Sequence, residues 1–259
     1  MQIGFSQRIR MEWLEQTAQL FLAGNSKEEI ETALQDILRD KLSVGGKAKR
    51  GNREKAITIL MKIWVNVPKR LEPFRDDGLK LLTQLPPDRH LPVHWGMSMA
   101  VYPFFGFVAQ TVGRLFTLQD TASASQVQRR IREQLGERET VARAARRLLR
   151  CFADWGVLKD TDKKGIYVAA PQQALKNRKL LGWLIEGALI SNGSNALPLR
   201  SLSSSAAFFP FSLGMLNPAQ LETNPRLSFF RHGLDEDMVS LSSNELQKIG
   251  GPRKGGGHP

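Results

Sequence analysis

The chain has 259 residues, of which 41% are hydrophobic and 24% are charged, so most of it can bury a core and the chain as a whole is not disordered. Lys and Arg number 37 against 25 Asp and Glu, and the formal net charge of +12 favours a polyanionic partner, either nucleic acid or an anionic membrane surface. The single cysteine, Cys151, excludes an intramolecular disulfide and a multi-cysteine zinc site, which fits a reducing compartment.

Apolar residues at helical spacing predict the structure of the first third of the chain. They predict four helices, at residues 6–22, 27–39, 52–64 and 72–85. The second helix starts with a capping box, in which Ser26 accepts a free backbone N–H and the Glu29 side chain reaches back. Asn52 is the predicted cap of the third helix, and the Pro86-Pro87 pair ends the fourth.

Residues 91–113 contain no Asp, Glu, Lys or Arg and are long enough to cross a bilayer. Two prolines, Pro92 and Pro103, and several polar side chains interrupt this segment, so we predict a buried central hairpin instead of a membrane span. The first residues of the chain carry charges where a secretion signal has an apolar core. We therefore expect a cytoplasmic protein without a membrane span.

In the second half of the chain, the sequence predicts helices separated by short turns and strands. The expected elements are helices at residues 125–135, 139–155 and 172–190, a hairpin at 157–170, and short strands at 226–233 and 237–241. A capping box starting at Ser125 opens the first of these helices, and residues 136–138 form the turn that follows it. Gly156 occupies a left-handed C-cap position, and Gly165 lies where the hairpin reverses.

The helix at residues 139–155 has two contrasting faces. At about 100° per residue, one face carries Arg143, Arg146, Arg147 and Arg150, and the opposite face carries Val141, Ala145, Leu148, Leu149 and Phe152. A helix, a three-residue turn, a longer arginine-bearing helix and a short hairpin follow the order of a winged helix-turn-helix domain. The predicted fold is mainly α, with an N-terminal helical bundle (1–118), a winged-helix-like module (119–190), an irregular aromatic-rich part (191–247) and a flexible tail (248–259).

Basic side chains of this module are the first candidates for binding DNA. They are Arg129, Arg130, Arg138, Arg143, Arg146, Arg147, Arg150 and the hairpin lysines Lys163 and Lys164. A planar guanidinium pairs with phosphate, or with the O6 and N7 atoms of guanine, at two points at once. Two alternatives stay open: a solvated face whose arginines pair with Glu139 and Asp154, or a face that binds protein.

A second basic cluster precedes the third predicted helix. Its members are Lys47, Lys49, Arg50, Arg53 and Lys55. A glycine-punctuated basic loop that runs into a helix N-terminus can bind a phosphate on free N–H groups, although it can equally be a mobile basic loop. The segment lacks the GxxxxGK[ST] spacing of a nucleotide-binding loop, so we do not expect ATP binding.

Signals for an enzyme are weak. His90 and His94 are four residues apart, but Pro92 lies between them and no further ligand is near in sequence, so we predict no metal site. His232 lies close in sequence to Asp235 and Asp237, as in some catalytic groups. A surface turn accounts for these three residues equally well. We expect Cys151 to be a half-buried packing thiol, and we predict no catalytic residue and no cofactor.

A few short motifs over about residues 13–170 resemble a known family. They are a helix with Trp13, Glu15, Thr17 and Ala18, then GNSKEEI, a loop rich in basic residues, and a later element with Leu148-Leu149 and Trp155-Gly156-Val157-Leu158. This layout resembles the BrxA-type proteins of bacteriophage-exclusion (BREX) defence systems. The resemblance implies a mostly helical, DNA-binding member of a multiprotein anti-phage complex, with the two basic clusters as DNA contacts and Trp13 and Trp155 in the core.

The sequence thus predicts a non-enzymatic protein that binds double-stranded DNA, mainly through phosphate contacts, alongside other proteins of a defence complex. Two further hypotheses remain. One is a scaffold subunit whose basic faces bind an acidic partner protein, and the other is an RNA-binding helical module of the antitermination type.

Overall fold

The computed structural model describes residues 3–42, 51–233 and 236–242. These residues form a mainly helical fold, as predicted, and they also form three small sheets. The helices are α1 (Met11–Leu22), α2 (Lys27–Ile37), α3 (Asn52–Trp64), α4 (Glu72–Gln84), α5 (Leu91–Val101), α6 (Pro103–Phe116), α7 (Ala124–Leu135), α8 (Glu139–Asp154), α9 (Arg178–Asn192), α10 (Leu199–Ser203) and α11 (Pro218–Leu221). The strands are β1 (Thr121–Ser123), β2 (Leu158–Asp160), β3 (Ile166–Ala169), β4 (Gln173–Ala174), β5 (Ala196–Pro198), β6 (Phe211–Ser212), β7 (Leu227–His232) and β8 (Glu236–Leu241).

The first helix begins at Met11, five residues later than predicted. Residues 5–10, which we call the N-terminal arm, adopt no helix or strand, and Phe5, Gln7 and Ile9 are buried while Arg8 and Arg10 are exposed. This alternation has the two-residue period of an extended chain lying on a surface. The helix prediction was wrong here because contacts with a distant element, α8, replace the local helical hydrogen bonds.

Helix caps agree with the sequence in one case and differ in two. The predicted capping box of α2 is confirmed, because Ser26 Oγ accepts from the Glu29 N–H at 3.2 Å and Glu29 Oε2 accepts from the Ser26 N–H at 2.7 Å. Gly51, not Asn52, is the N-cap of α3. The box that opens α7 uses Ser123 and Gln126 rather than Ser125, because pairing of β1 with β3 holds Ser123 in the extended conformation that an N-cap needs.

The apolar segment forms the buried helix pair that we predicted. α5 and α6 are separated by Tyr102 at φ −125° and ψ 88°, and Pro103 starts the second helix. Among the residues that the structure describes, no helix is both long enough and apolar enough to span a membrane. Trp95 of α5 is the centre of an aromatic cluster with Phe105, Phe152, Trp155, Phe209 and Phe211.

These aromatic contacts join all three predicted domains of the described chain in one continuous hydrophobic core. Trp13 and Trp155 are both buried in it, as expected. The proposed boundaries at residues 118 and 190 stay predictions, and the predicted flexible tail lies outside the described residues.

The two predicted helices, the turn between them and the predicted hairpin are present between α6 and β4. α7 and α8 are joined by Gly136, which has a φ of 86°, and α8 ends before Gly156 at φ 73°. β2 and β3 form the hairpin around Gly165, and β1, which is too short to be recognised from the sequence, adds to the other edge of β3. Arg150, near the C-terminal end of α8, contacts Asp160 of β2, so the hairpin lies next to that end of the helix.

The start of the predicted helix at residues 172–190 was wrong. Gln173 and Ala174 form β4 and pair in parallel with β6, and α9 begins at Arg178 after Asn177, whose side chain accepts from the Leu180 N–H at 3.1 Å. The two predicted C-terminal strands are confirmed as β7 and β8, which pair antiparallel with each other. β5 completes that sheet on the other side of β8.

Candidate nucleic-acid interface

α8 packs into the core through the apolar face that the sequence predicts. Its fully buried residues are Val141, Ala145, Leu148, Leu149, Cys151 and Phe152. The sequence placed five of these residues on one face but expected Cys151 to be only half-buried. Cys151 is fully buried because the N-terminal arm covers its side of α8. The exposed face of α8 is therefore narrower than the sequence predicts.

Arg143 and Arg146 remain on the exposed face of α8. Arg143 Nη2 lies 3.7 Å from Glu139 Oε1, and both side chains are more than half exposed, at 59% and 71%. Arg146 Nη2 lies 3.5 Å from the amide oxygen of Gln128. Such long contacts at the surface are weak, so both guanidinium groups can exchange them for a ligand at little cost.

Arg147 and Arg150 lie on the same predicted face, but their guanidinium groups contact other parts of the protein. Arg147 donates a hydrogen bond to the Ser6 carbonyl of the arm, and partial burial lowers its pKa. Arg150 Nη1 lies 3.0 and 3.1 Å from the two carboxylate oxygens of Asp160 in β2, and hydrogen bonding to Tyr167 raises the pKa of Arg150. All four arginines stay predicted ligand contacts, but Arg147 and Arg150 already have partners within the protein.

The N-terminal arm is fastened along α8 by several polar contacts. The Ile9 N–H donates to Cys151 Sγ at 3.1 Å, and Trp155 Nε1 donates to the Ile9 carbonyl at 2.9 Å. Arg8 forms an ion pair with Asp154, so Asp154 does not neutralise the α8 arginines as one alternative required. Burial raises the pKa of the Cys151 thiol to about 12, so the thiol is protonated under the arm.

The candidate basic residues before and after α8 in the sequence are exposed. Arg129 of α7 lies 3.7 Å from Glu133, and Arg138 donates to the Leu135 carbonyl at 3.2 Å. Arg130, Lys163 and Lys164 are exposed, and they form no salt bridge with any residue that the structure describes. The hairpin turn thus adds two exposed positive charges to those of the helices.

The second basic cluster is described only in part, because Lys47, Lys49 and Arg50 lie outside the described residues. Arg53 does not extend freely into solvent, since its Nη2 donates to the Arg39 carbonyl after α2 at 2.8 Å. Lys55 is half-buried on α3.

The start of α3 nevertheless meets the same arm that covers α8. Gln7 Nε2 donates to Asn52 Oδ1 at 3.0 Å, and the neighbouring residue Ser6 accepts from Arg147. The arm therefore contacts both the beginning of α3 and the middle of α8. Sequence patterns do not reveal this proximity, because it depends on an extended segment at residues 5–10.

A polar cluster of two histidines and one carboxylate lies between α1 and α5. Glu15 Oε2 is 2.9 Å from His90 Nδ1 and 2.8 Å from His94 Nε2. The sequence showed the histidine pair but not the third group, since Glu15 is 75 residues away from His90. Burial opposes ionisation of Glu15, but hydrogen bonds from His94, Gln19 and His90 outweigh it and lower the pKa of the Glu15 carboxyl to about 2.

In the part of the chain that the structure describes, these three residues form the only group of three or more acidic, His or Cys side chains arranged to hold a metal ion. His232 is exposed on β7, and Asp237 pairs with Arg231 at 3.6 Å, while Asp235 lies outside the described residues. Comparisons with protein-family models, with curated proteins and with solved structures find no match to this chain.

Proposed function

We propose that the protein binds double-stranded DNA without catalysing a reaction, through α7, α8 and the β2–β3 hairpin. One observation carries the proposal. Arg130, Arg143 and Arg146 are exposed on the α7–α8 unit with the hairpin lysines, and their one carboxylate contact among the described residues is the long, solvent-exposed pair between Arg143 and Glu139 at 3.7 Å. Exposed arginines with weak internal contacts are the groups that phosphates and guanine edges attract.

The structural unit that carries these side chains is packed into the core. Val127 and Ile131 of α7 are fully buried, as are the apolar residues of α8, and the turn at Gly136 fixes the angle between the two helices. Arg150 and Asp160 connect the end of α8 to the hairpin. A preorganised surface loses little conformational entropy on binding, so we expect its charges to contribute to DNA affinity.

The distribution of exposed positive charge supports a mainly electrostatic mode of DNA binding. Exposed positive charge comes from both helices and from the hairpin turn, which suits phosphates along a duplex. Arg143 and Arg146, near the middle of α8, are the side chains that we expect to reach base edges in the major groove. We infer modest sequence preference with a strong dependence on salt.

The cellular role that we propose comes from the sequence motifs of residues 13–170, which resemble those of BrxA-type proteins. In this role, the protein acts in the cytoplasm as a DNA-binding component of an anti-phage defence complex, together with other proteins of that complex. The basic residues Lys47, Lys49, Arg50, Arg53 and Lys55 are proposed as a second DNA contact.

The test is a titration of the full chain with duplex DNA, single-stranded DNA and duplex RNA at two salt concentrations. We expect duplex DNA to bind best, with log affinity falling linearly with log salt concentration. The variant Arg143→Ala/Arg146→Ala should lose about 1–3 kcal/mol for each specific contact and reduce the salt slope by about 2.

A matched control removes the same charge elsewhere. Arg89 and Arg231 are exposed, and each has a weak carboxylate partner, Asp88 at 3.5 Å and Asp237 at 3.6 Å. Arg89→Ala/Arg231→Ala should keep the affinity and the slope much closer to those of the wild type. Equal losses in both double variants would refute the assigned surface. Preference for duplex RNA would support the RNA-binding hypothesis, and no nucleic-acid binding at low salt would support a scaffold for an acidic protein.

A further inference from the structure

The cluster of Glu15, His90 and His94 has an unusual arrangement of hydrogen-bonding atoms. Gln19 Nε2 donates to Glu15 Oε1 at 2.8 Å, so the other oxygen, Oε2, is left to face both histidines. His90 Nε2 lies 2.9 Å from the Leu85 carbonyl, which can only accept. This carbonyl fixes a proton on Nε2 and leaves His90 Nδ1 directed at the carboxylate.

Glu15 Oε2 accepts a hydrogen bond from a ring nitrogen only where that nitrogen carries a proton, and a metal ion placed between the three atoms can take the place of those protons. The ring-to-carbonyl contact of His90 is the kind of outer contact that orients histidine ligands in metal sites.

We propose that Glu15, His90 and His94 bind one Zn²⁺ ion. Each of the three residues offers a ligand atom within 4.8 Å of the other two. Zinc–ligand bonds of about 2.0–2.1 Å in a tetrahedron place donor atoms roughly 3.3 Å apart, so Glu15 Oε2, now 2.8 and 2.9 Å from the ring nitrogens, has to move away from each by about half an ångström, and the two rings have to adopt the same spacing. Two imidazoles and one carboxylate favour zinc over Mg²⁺ or Ca²⁺, which prefer oxygen ligands.

The backbone at the start of α5 allows both histidines to face the same side, although Pro92 lies between them in the sequence. Pro92 occupies one of the first two positions of α5, where proline is compatible with a helix. His90 is the N-cap of α5, and His94 is in its first turn, so both rings project toward α1. Trp64 packs edge-on against His94, with ring centroids 5.4 Å apart, and restricts the orientation of that ring.

The fourth coordination position is expected to hold water. Glu15 retains 30% of its side-chain exposure, whereas His94 has none, so solvent and the metal reach the cluster from the Glu15 side. An ion at this position would link α1 to α5 directly. Metal binding should therefore stabilise the fold, because an unfolded chain does not hold the three ligands together.

The experiment uses the full chain after treatment with a chelator, titrated with Zn²⁺ and separately with Co²⁺. We expect one equivalent of Zn²⁺ per chain, an increase in Tm on binding, and visible d–d absorption from bound Co²⁺. Glu15→Gln and His90→Gln should each weaken Zn²⁺ binding at least about tenfold. Glu15→Gln is the milder of the two changes, because the Glu15 side chain is 30% exposed whereas His90 and His94 are both buried.

The control variant is His232→Gln, which changes an exposed histidine on β7 and should leave zinc binding unchanged. Circular dichroism of each variant establishes that it is folded before its affinity is compared. Zn²⁺ should also shift the NMR resonances of the His90 and His94 rings in the wild-type protein, which tests the site without any substitution. No uptake of Zn²⁺ by the wild type, or equal uptake by His90→Gln, would overturn the proposal and leave a proton as the bridge.

Discussion

Arg147 of α8 donates a hydrogen bond to the Ser6 carbonyl, whereas Arg143, one turn earlier on the same face, is exposed and 3.7 Å from Glu139. The two side chains look equivalent in the sequence. One of them holds the N-terminal arm, and the other is available to a ligand. They should therefore respond differently to the same substitution.

Arg147→Ala is expected to destabilise the protein by about 1.5–3 kcal/mol, because it removes a charge-assisted hydrogen bond to a partly buried carbonyl. Arg143→Ala should change the free energy of unfolding by less than about 0.5 kcal/mol. Urea unfolding of both variants measures the difference. Equal unfolding midpoints would show that the contact between Arg147 and the arm does not stabilise the fold.

Cys151 reports whether the arm is attached to α8. The thiol is fully buried and its pKa is raised to about 12 by burial, so very little thiolate exists at pH 8. We expect slow reaction with a disulfide reagent in the native protein and rapid reaction after unfolding. Ile9→Ala should accelerate labelling at least about tenfold, because loss of a buried Ile side chain costs roughly 2–5 kcal/mol and Ile9 anchors the arm.

Ile37→Ala is the control for the labelling experiment. Ile37 is at the end of α2 and only partly buried, so its truncation removes the same atoms without loosening the arm. Equal acceleration by the two variants would mean that labelling follows global unfolding instead of detachment of the arm.

Gly113 of α6 is expected to tolerate no side chain. A Cβ atom at this position would lie 1.9 Å from the Ala206 carbonyl oxygen, which belongs to the backbone and cannot rotate away. Gly113→Ala should therefore destabilise the protein by about 1–3 kcal/mol or more, measured by thermal and chemical unfolding.

Gly106→Ala, in the same helix, is the comparison for Gly113→Ala. Its Cβ would meet Ser191 Oγ at 2.7 Å and Met99 Cγ at 2.9 Å, and both are side-chain atoms. These side chains can move, and alanine favours a helix over glycine by roughly 1 kcal/mol, so the net effect should be smaller. A larger loss at Gly106 than at Gly113 would contradict the packing of α6 on residues 206–208.

Arg226 neutralises a buried carboxylate beneath the C-terminal sheet. Its Nε donates to Glu186 Oε1 at 2.6 Å and its Nη1 lies 2.8 Å from Asp77 Oδ2, while Glu186 is only 2% exposed. Arg226→Ala should cost about 3–5 kcal/mol at neutral pH, because Glu186 is left as an unpaired buried charge. Adding Glu186→Gln to that variant should restore part of the loss.

The effect of Arg226→Ala should also depend on pH. Burial raises the pKa of Glu186, with Arg226 and Asn224 opposing the rise, so the pKa increases further when Arg226 is removed. An acid whose pKa is higher in the folded state stabilises the fold below that pKa and loses this contribution as the pH rises. The variant should therefore be less impaired at pH 5 than at pH 8, and the reverse order would contradict the role assigned to Glu186.

Local features of the sequence were sufficient to predict most of the elements. The arginine and apolar faces of α8 follow from helical period alone, and Gly156 and Gly165 mark its end and the hairpin turn because both need a positive φ. The box at Ser26 is equally local, since its two hydrogen bonds span three residues. Each of these features depends on neighbours that any conformation of the chain keeps close.

The roles of individual side chains depended on contacts between distant segments. Arg147 and Ser6 are 141 residues apart, and Glu15 and His94 are 79 residues apart, so no periodicity connects them. The arm is extended because burying Phe5, Gln7 and Ile9 against the rest of the fold outweighs the helix that their local spacing favours. The sequence by itself determined which residues share a helix face. Only the tertiary structure decided which of those residues are already bonded and which remain free for a ligand, because that depends on what each segment meets after the chain collapses.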